Sequence, residues 1–157
     1  EEANPSGRTI TSTTMSSYEE GKWTVTMEPS SGFTPTDNTS NGYYTKIGNM
    51  VTVWGLAEMQ TPASLGSWSN DNANFSLQVS GLPFNIGNAL PRRSAPVLGV
   101  TLGIGWGSGN VLMGHGSHGT DKFGIFQCKA NGASRTSPIL ATSKTHNVHF
   151  SFTYTTT

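Results

Sequence analysis

Charged side chains are scarce in this chain. They make up 11% of its 157 residues, and the basic and acidic groups cancel to a net charge of zero. A surface with so little charge has no long-range field to attract nucleic acid or anionic lipid. The composition therefore argues against a nucleic-acid partner.

Cysteine and long apolar runs are also nearly missing. The single cysteine, Cys128, cannot form an intrachain disulfide, and its position in the apolar segment 123–128 predicts a buried structural thiol. No apolar run approaches the roughly 18 residues that a transmembrane helix needs. We therefore expect no insertion into a membrane.

Hydroxyl-bearing residues and glycine take the place of charge. Thr, Ser and Gly together fill 59 of the 157 positions. The surface must then be covered by hydroxyls, amides and backbone. Such a composition suits strands and oligomer interfaces, where isolated charges would be costly to bury.

Short alternating segments separated by turn residues dominate the chain. The clearest is 42–55, where Gly48-Asn49 joins two stretches of β-branched and aromatic residues, as in a tight hairpin. Residues 22–27 and 146–154 also alternate between apolar and polar side chains. About nine strands, with no helical pattern of ten residues, predict an antiparallel sandwich or closed barrel.

The chain divides into two parts by composition. Residues 1–17 are polar and rich in Ser and Thr, which predicts a linker or N-terminal arm. Residues 18–157 are long enough to bury one core, and we expect them to form a single all-β domain, an antiparallel β-sandwich.

Histidines form two pairs that could bear on metal binding. His115 and His118 flank a glycine near Asp121, so their rings could converge, whereas His146 and His149 would point to opposite faces of a strand. Loop or surface histidine without a ligand is the favoured interpretation, although a three-fold axis could gather one histidine from each of three chains. We predict no metal and no cofactor.

Catalytic motifs are not evident. The sequence contains no nucleophile elbow, phosphate-binding loop or zinc-protease motif. Glu58 and Asp71 form the one carboxylate combination worth considering for a glycosidase. We predict that the chain is not an enzyme.

Aromatic side chains are the remaining candidates for ligand binding, because they can stack on sugar rings. Trp23 and Trp54 alternate with aliphatic neighbours and are predicted to lie in the core. Trp68 and Trp106 lie in loops, and an intersubunit contact is the alternative for Trp106. The predicted ligand-binding residues are Trp68, Asn70, Asp71, Asn72, Trp106, His115 and His118.

Five segments of the chain resemble the C-terminal region of bacteriophage tail-fibre and tailspike proteins. The landmarks are Tyr-Glu-Glu-Gly-Lys-Trp-Thr-Val-Thr at 18–26, Gly-Tyr-Tyr-Thr-Lys-Ile-Gly-Asn at 42–49, Val-Thr-Val-Trp-Gly at 51–55, Ser-Gly-Leu-Pro-Phe at 80–84, and the Thr-rich strand at 149–156. They cover residues 18–84 and the last ten residues.

The resemblance implies a jelly-roll-like sandwich knob at the tip of a longer homotrimeric fibre. It further implies a place in the virion after synthesis in the host cytoplasm, and recognition of bacterial surface polysaccharide or another receptor. It carries over no catalytic residues. The alternatives are a purely structural trimerisation cap or capsid decoration domain, and a small glycan hydrolase.

Overall fold

The chain folds into strands joined by turns and loops. The computed structural model describes residues 17–69, 76–88, 95–129 and 135–156, and these ranges contain no helix. The strands are β1 (Tyr18–Pro29), β2 (Thr39–Ile47), β3 (Met50–Gln60), β4 (Leu77–Ser80), β5 (Val97–Leu102), β6 (Asn110–Gly116), β7 (Phe123–Lys129), β8 (Arg135–Thr136) and β9 (Thr145–Thr155).

All nine strands belong to one antiparallel sheet. Its order is β5-β9-β3-β2-β1-β4-β7-β6, with β8 added beside β7. The two ends approach each other where Pro96 covers Gly114; a Cβ on that glycine would lie 2.9 Å from the Pro96 Cβ. The sheet is therefore nearly closed and barrel-like.

The all-β antiparallel prediction is confirmed, but the arrangement differs from a two-sheet jelly roll. Strand β1 pairs with β2 on one side and with β4 on the other. This double pairing joins both halves of the chain in one hydrogen-bonded sheet. Curling such a sheet toward closure leaves few unpaired edges.

The hairpin predicted at Gly48-Asn49 is confirmed. Gly48 adopts a φ of 59°, and the strands run from the Ile47–Met50 pair at the turn to the Gly42–Gly55 pair. Strand β2 begins at Thr39, three residues before the predicted hairpin segment 42–55, because β1 provides a hydrogen-bonding partner for those residues.

The core lies between the inward faces of the curled sheet. Phe123 packs between Phe150 and Phe152, with ring centroids 5.2 and 5.3 Å away. The alternation predicted for the last strand is confirmed, since every second residue from Val148 to Tyr154 is buried. Cys128 lies in β7 but is half-buried, because Ile125 and Gln127 occupy the inner face instead.

Several predictions fall outside the described residues. They concern almost all of the arm at 1–17 and the candidate binding residues Asn70, Asp71 and Asn72. They stay predictions.

Gly42 lets Trp23 pack against the backbone of β2. A Cβ on Gly42 would lie 2.4 Å from the Trp23 Nε1, and the indole cannot retreat because it also packs edge-on against Phe150. We expect Gly42→Ala to lower the free energy of unfolding by about 1–3 kcal/mol. The matched control is Gly124→Ala, where the nearest atom would be 3.8 Å away. Equal losses for the two variants in urea unfolding would contradict this account.

Tyr154 makes the stability of the folded chain depend on pH in the alkaline range. Its hydroxyl donates a hydrogen bond to the Phe84 carbonyl at 3.0 Å. Burial raises the pKa of this hydroxyl above the ordinary value of 10.0. The folded chain therefore holds the Tyr154 proton more tightly than the unfolded chain. The contribution of Tyr154 to the free energy of unfolding is complete below pH 10 and is lost as the pH rises further.

We expect Tyr154→Phe to cost about 1 kcal/mol at neutral pH through the lost hydrogen bond. The variant should also lose less stability than the wild type above pH 10. Urea unfolding at a series of alkaline pH values measures both effects, and parallel pH profiles would show that Tyr154 is not the group responsible.

Candidate functional site

Two rows of side chains cross the outer face of β1, β2, β3 and β9. The strand register places Lys22, Tyr43, Trp54 and Ser151 side by side, and we call these residues the aromatic row. Two positions along each strand, the same register aligns the hydroxyl row, which consists of Glu20, Thr45, Thr52 and Thr153. Same-face neighbours on adjacent strands are close enough to act together.

Tyr43 and Trp54 form the centre of the aromatic row. Their ring centroids are 6.2 Å apart and their planes are within 17° of parallel. Tyr43 is 41% exposed and Trp54 is 43% exposed. Lys22 adds a cation–π contact, with its Nζ 5.5 Å from the Tyr43 ring centroid. The pair thus presents two nearly parallel aromatic rings to solvent.

A groove of about 290 Å³ runs beside these rings. Its volume lies just below the range of about 300–1,000 Å³ that small-molecule sites occupy, so the groove is shallow and small. The groove is lined by Glu20, Gly21, Lys22, Tyr43, Tyr44, Thr45 and Trp54. Aromatic surface and polar groups therefore meet in one depression.

Hydrogen bonds fix the polar groups around the groove. The Tyr18 hydroxyl donates to Glu20 Oε2 at 2.6 Å, and the Tyr44 hydroxyl donates to Glu19 Oε1 at 2.5 Å. These bonds to carboxylates are the main cause that raises the pKa of both tyrosines above its ordinary value.

The hydroxyl row continues this ordered polar surface onto β9. The Oγ1 atoms of Thr52 and Thr153 are 2.8 Å apart. Over both rows, Lys22 supplies one positive charge and Glu20 one negative charge. The two rows therefore offer hydroxyl donors and acceptors without a net charge.

The interpretation of the first two tryptophans was right for one and wrong for the other. Trp23 is buried at 8% exposure, as predicted, whereas Trp54 lies on the outer face. The inner positions of β3 belong to Val51, Val53 and the residues that follow at every second position. The signal was in the sequence, because Trp54 is one and three residues from Val53 and Val51 and therefore points to the opposite face of the strand.

The other candidate residues are spread over separate loops. Trp68 is half-buried and packs edge-on against Phe33, with centroids 5.8 Å apart. Trp106 is 48% exposed in the loop between β5 and β6. Asn70, Asp71 and Asn72 lie outside the described residues. Trp68 and Trp106 lie in different loops, and the role of all these residues in binding stays a prediction.

The histidine pairs differ from one another. His115 at the end of β6 and His118 in the following loop are half-buried. His146 and His149 point to opposite faces as predicted, but His146 is completely buried, where the sequence favours a loop or surface position. Its Nε2 lies 2.9 Å from the Ala141 carbonyl and 3.3 Å from Thr61 Oγ1, whereas its Nδ1 is buried without a hydrogen-bond partner among the described residues.

Within the described ranges, no three side chains of His, Cys, Asp or Glu are grouped so that they could hold a metal ion. The same part of the chain has no helix with the length and apolar character needed to cross a bilayer.

Comparison with known proteins gives one structural likeness. No protein-family profile matches the chain, and no curated protein sequence matches it. The crystal structure of the Dettilon tailspike protein is similar to 87% of this chain, with a TM-score of 0.62 and 16% sequence identity. The chain spans 24% of the length of that tailspike. At this identity the likeness shows a shared fold.

The exposure of Trp54 can be tested against that of Trp23. We expect Trp54→Ala to lower the free energy of unfolding by about 1 kcal/mol or less, because the substitution removes a ring from the exposed surface and not from the core. Trp23→Ala should cost about 3–5 kcal/mol. Thermal or urea unfolding of the two variants measures both losses of stability. A large loss of stability for Trp54→Ala would mean that the Trp54 ring of the wild type is buried in solution.

Proposed function

We propose that this chain is a host-recognition domain of a bacteriophage tail fibre or tailspike, located in the virion, that binds bacterial surface polysaccharide without hydrolysing it. The fold shared with a tailspike supports a tail protein. The scarcity of charge fits a partner that is recognised through stacking and hydrogen bonds.

The observation that carries the binding role is the exposed Tyr43–Trp54 pair. Large aromatic rings on a solvent-facing sheet are costly to leave uncovered, and they suit the apolar C–H faces of sugars. The polar groups that line the same groove suit sugar hydroxyls. The loop candidates Trp68, Trp106 and the His115–His118 segment belong to this proposal as secondary contacts.

We further propose that the domain acts as a homotrimer. Three copies of a weak site on one particle gain avidity when they engage a repetitive polymer. This arrangement would let a shallow groove support stable attachment to a cell surface.

A structural trimerisation cap or capsid decoration domain is the second candidate. The observation that favours it is the exposure of apolar side chains on the two end strands, where Val97 is 72% exposed and Val111 is 50% exposed. Neither β5 nor β6 contains a charged residue, although charge commonly protects sheet edges from association. Further copies of the chain could cover these residues.

Hydrolysis by a carboxylate pair has less support. Glu58 is half-buried in β3 opposite Asn147, and Asp71 lies outside the described residues. The hydrolase alternative would predict new reducing ends when the domain is incubated with bacterial polysaccharide.

The proposal predicts that the purified domain is a trimer by light scattering and binds a subset of bacterial strains in a pull-down with fluorescently labelled protein. Polysaccharide extracted from a bound strain should compete, whereas polysaccharide from an unbound strain should not. A monomer without cell binding would contradict the proposal. A trimer without cell binding would favour the structural cap.

A further inference from the structure

We propose, building on the host-recognition function, that the aromatic row and the hydroxyl row together form the binding site for a neutral oligosaccharide, which lies across the strands on the face of the Tyr43–Trp54 pair. This assignment places the principal contact on the sheet and not in the loops that hold Trp68 and Trp106.

The two rings are held in place before a ligand arrives. Strand β2 is paired on both sides, by β1 and β3, and β3 is paired on both sides, by β2 and β9. Tyr43 and Trp54 therefore stand on the interior strands of a four-strand surface. A rigid platform loses little conformational freedom on binding, which favours a shallow site.

Polar groups lie where the edge of a stacked sugar would meet them. Glu20 and Thr45 line the groove beside the rings, and Thr52 and Thr153 extend the hydroxyl row in the same direction. Hydroxyls both donate and accept hydrogen bonds, and the carboxylate accepts them. The combination of an apolar platform with such an edge is the arrangement that a pyranose ring requires.

The charges of the two rows point to a neutral sugar. Lys22 lies over the Tyr43 ring, and Glu20 accepts a hydrogen bond from Tyr18. An anionic polymer would gain one cation but would also meet the Glu20 carboxylate. When a neutral ligand removes water from Lys22 and Glu20, the loss of hydration is compensated for both groups.

The length of the rows sets the direction of the ligand. Four strands give three spacings of about 4.8 Å, so each row is about 14 Å long. This length accommodates more than one sugar ring only if the chain of sugars crosses the strands. We therefore expect affinity to rise from mono- to oligosaccharide.

The test uses an array of purified bacterial surface polysaccharides, sorted into neutral and anionic polymers, and four proteins: wild type, Trp54→Ala, Tyr43→Ala and Ile139→Ala. Ile139 is a matched control because it is a similarly exposed hydrophobic residue, at 37% against 43% for Trp54, but lies between β8 and β9, outside both rows. Thermal unfolding verifies that each variant is folded.

We expect the wild type to bind neutral polymers, with Trp54→Ala and Tyr43→Ala at least tenfold weaker and Ile139→Ala within about twofold of wild type. Binding should change little between ~0.1 and ~1 M salt, because screening weakens charge-based recognition only.

Three outcomes distinguish failure of this site, failure of the neutral class and failure of the proposed function. If the wild type binds polysaccharide and Trp54→Ala binds equally well, the site assignment is wrong while host recognition stands. If the wild type binds only anionic polymers, or loses binding at high salt, the neutral class is wrong. If the wild type binds no polymer and no cell, the proposed function fails together with this inference.

Discussion

The register of the β2–β3 hairpin is the constraint on which the rest of this structure depends. The Gly48-Asn49 turn allows only two residues between the strands, so each position in β2 has one partner in β3. Side chains alternate with a period of two, so a slip of one residue would turn Val51 and Val53 to solvent and Trp54 into the core. The same register aligns the residues of the proposed binding face.

Close packing on the inner face supports this arrangement. Gly42 and Gly55 pair across the hairpin, and a Cβ on Gly55 would lie 2.9 Å from the Cα of Gly42. The missing side chains make room for the indole of Trp23 and the ring of Phe150. Large aromatic groups can therefore occupy both faces of the same strands, buried on one side and exposed on the other.

The scarcity of charge shapes the outer surface in two ways. On the β1–β2–β3–β9 face, the Glu20 carboxylate accepts a hydrogen bond from Tyr18, and the hydroxyls of Thr52 and Thr153 bond to one another, so hydrogen bonds from hydroxyls order the polar surface. On the end strands β5 and β6, apolar side chains such as Val97 and Met113 are exposed with no charge in either strand. The first pattern suits a ligand rich in hydroxyls, and the second suits contact with further protein.

The sequence alone determined which segments are strands and how the central hairpin turns, because alternation and turn chemistry are local: 22–27, the Gly48-Asn49 hairpin and 146–154 all follow from neighbouring residues. The near closure of one sheet came from pairings between distant segments, such as Thr52 with Thr153, which are 101 positions apart.

The same long-range pairing buried His146 against Thr61 and placed Trp54 between Tyr43 and Ser151. A residue's local pattern indicates that it has an inner and an outer face, but only the tertiary structure decides what covers each face, since the covering atoms come from strands that the local sequence does not contain.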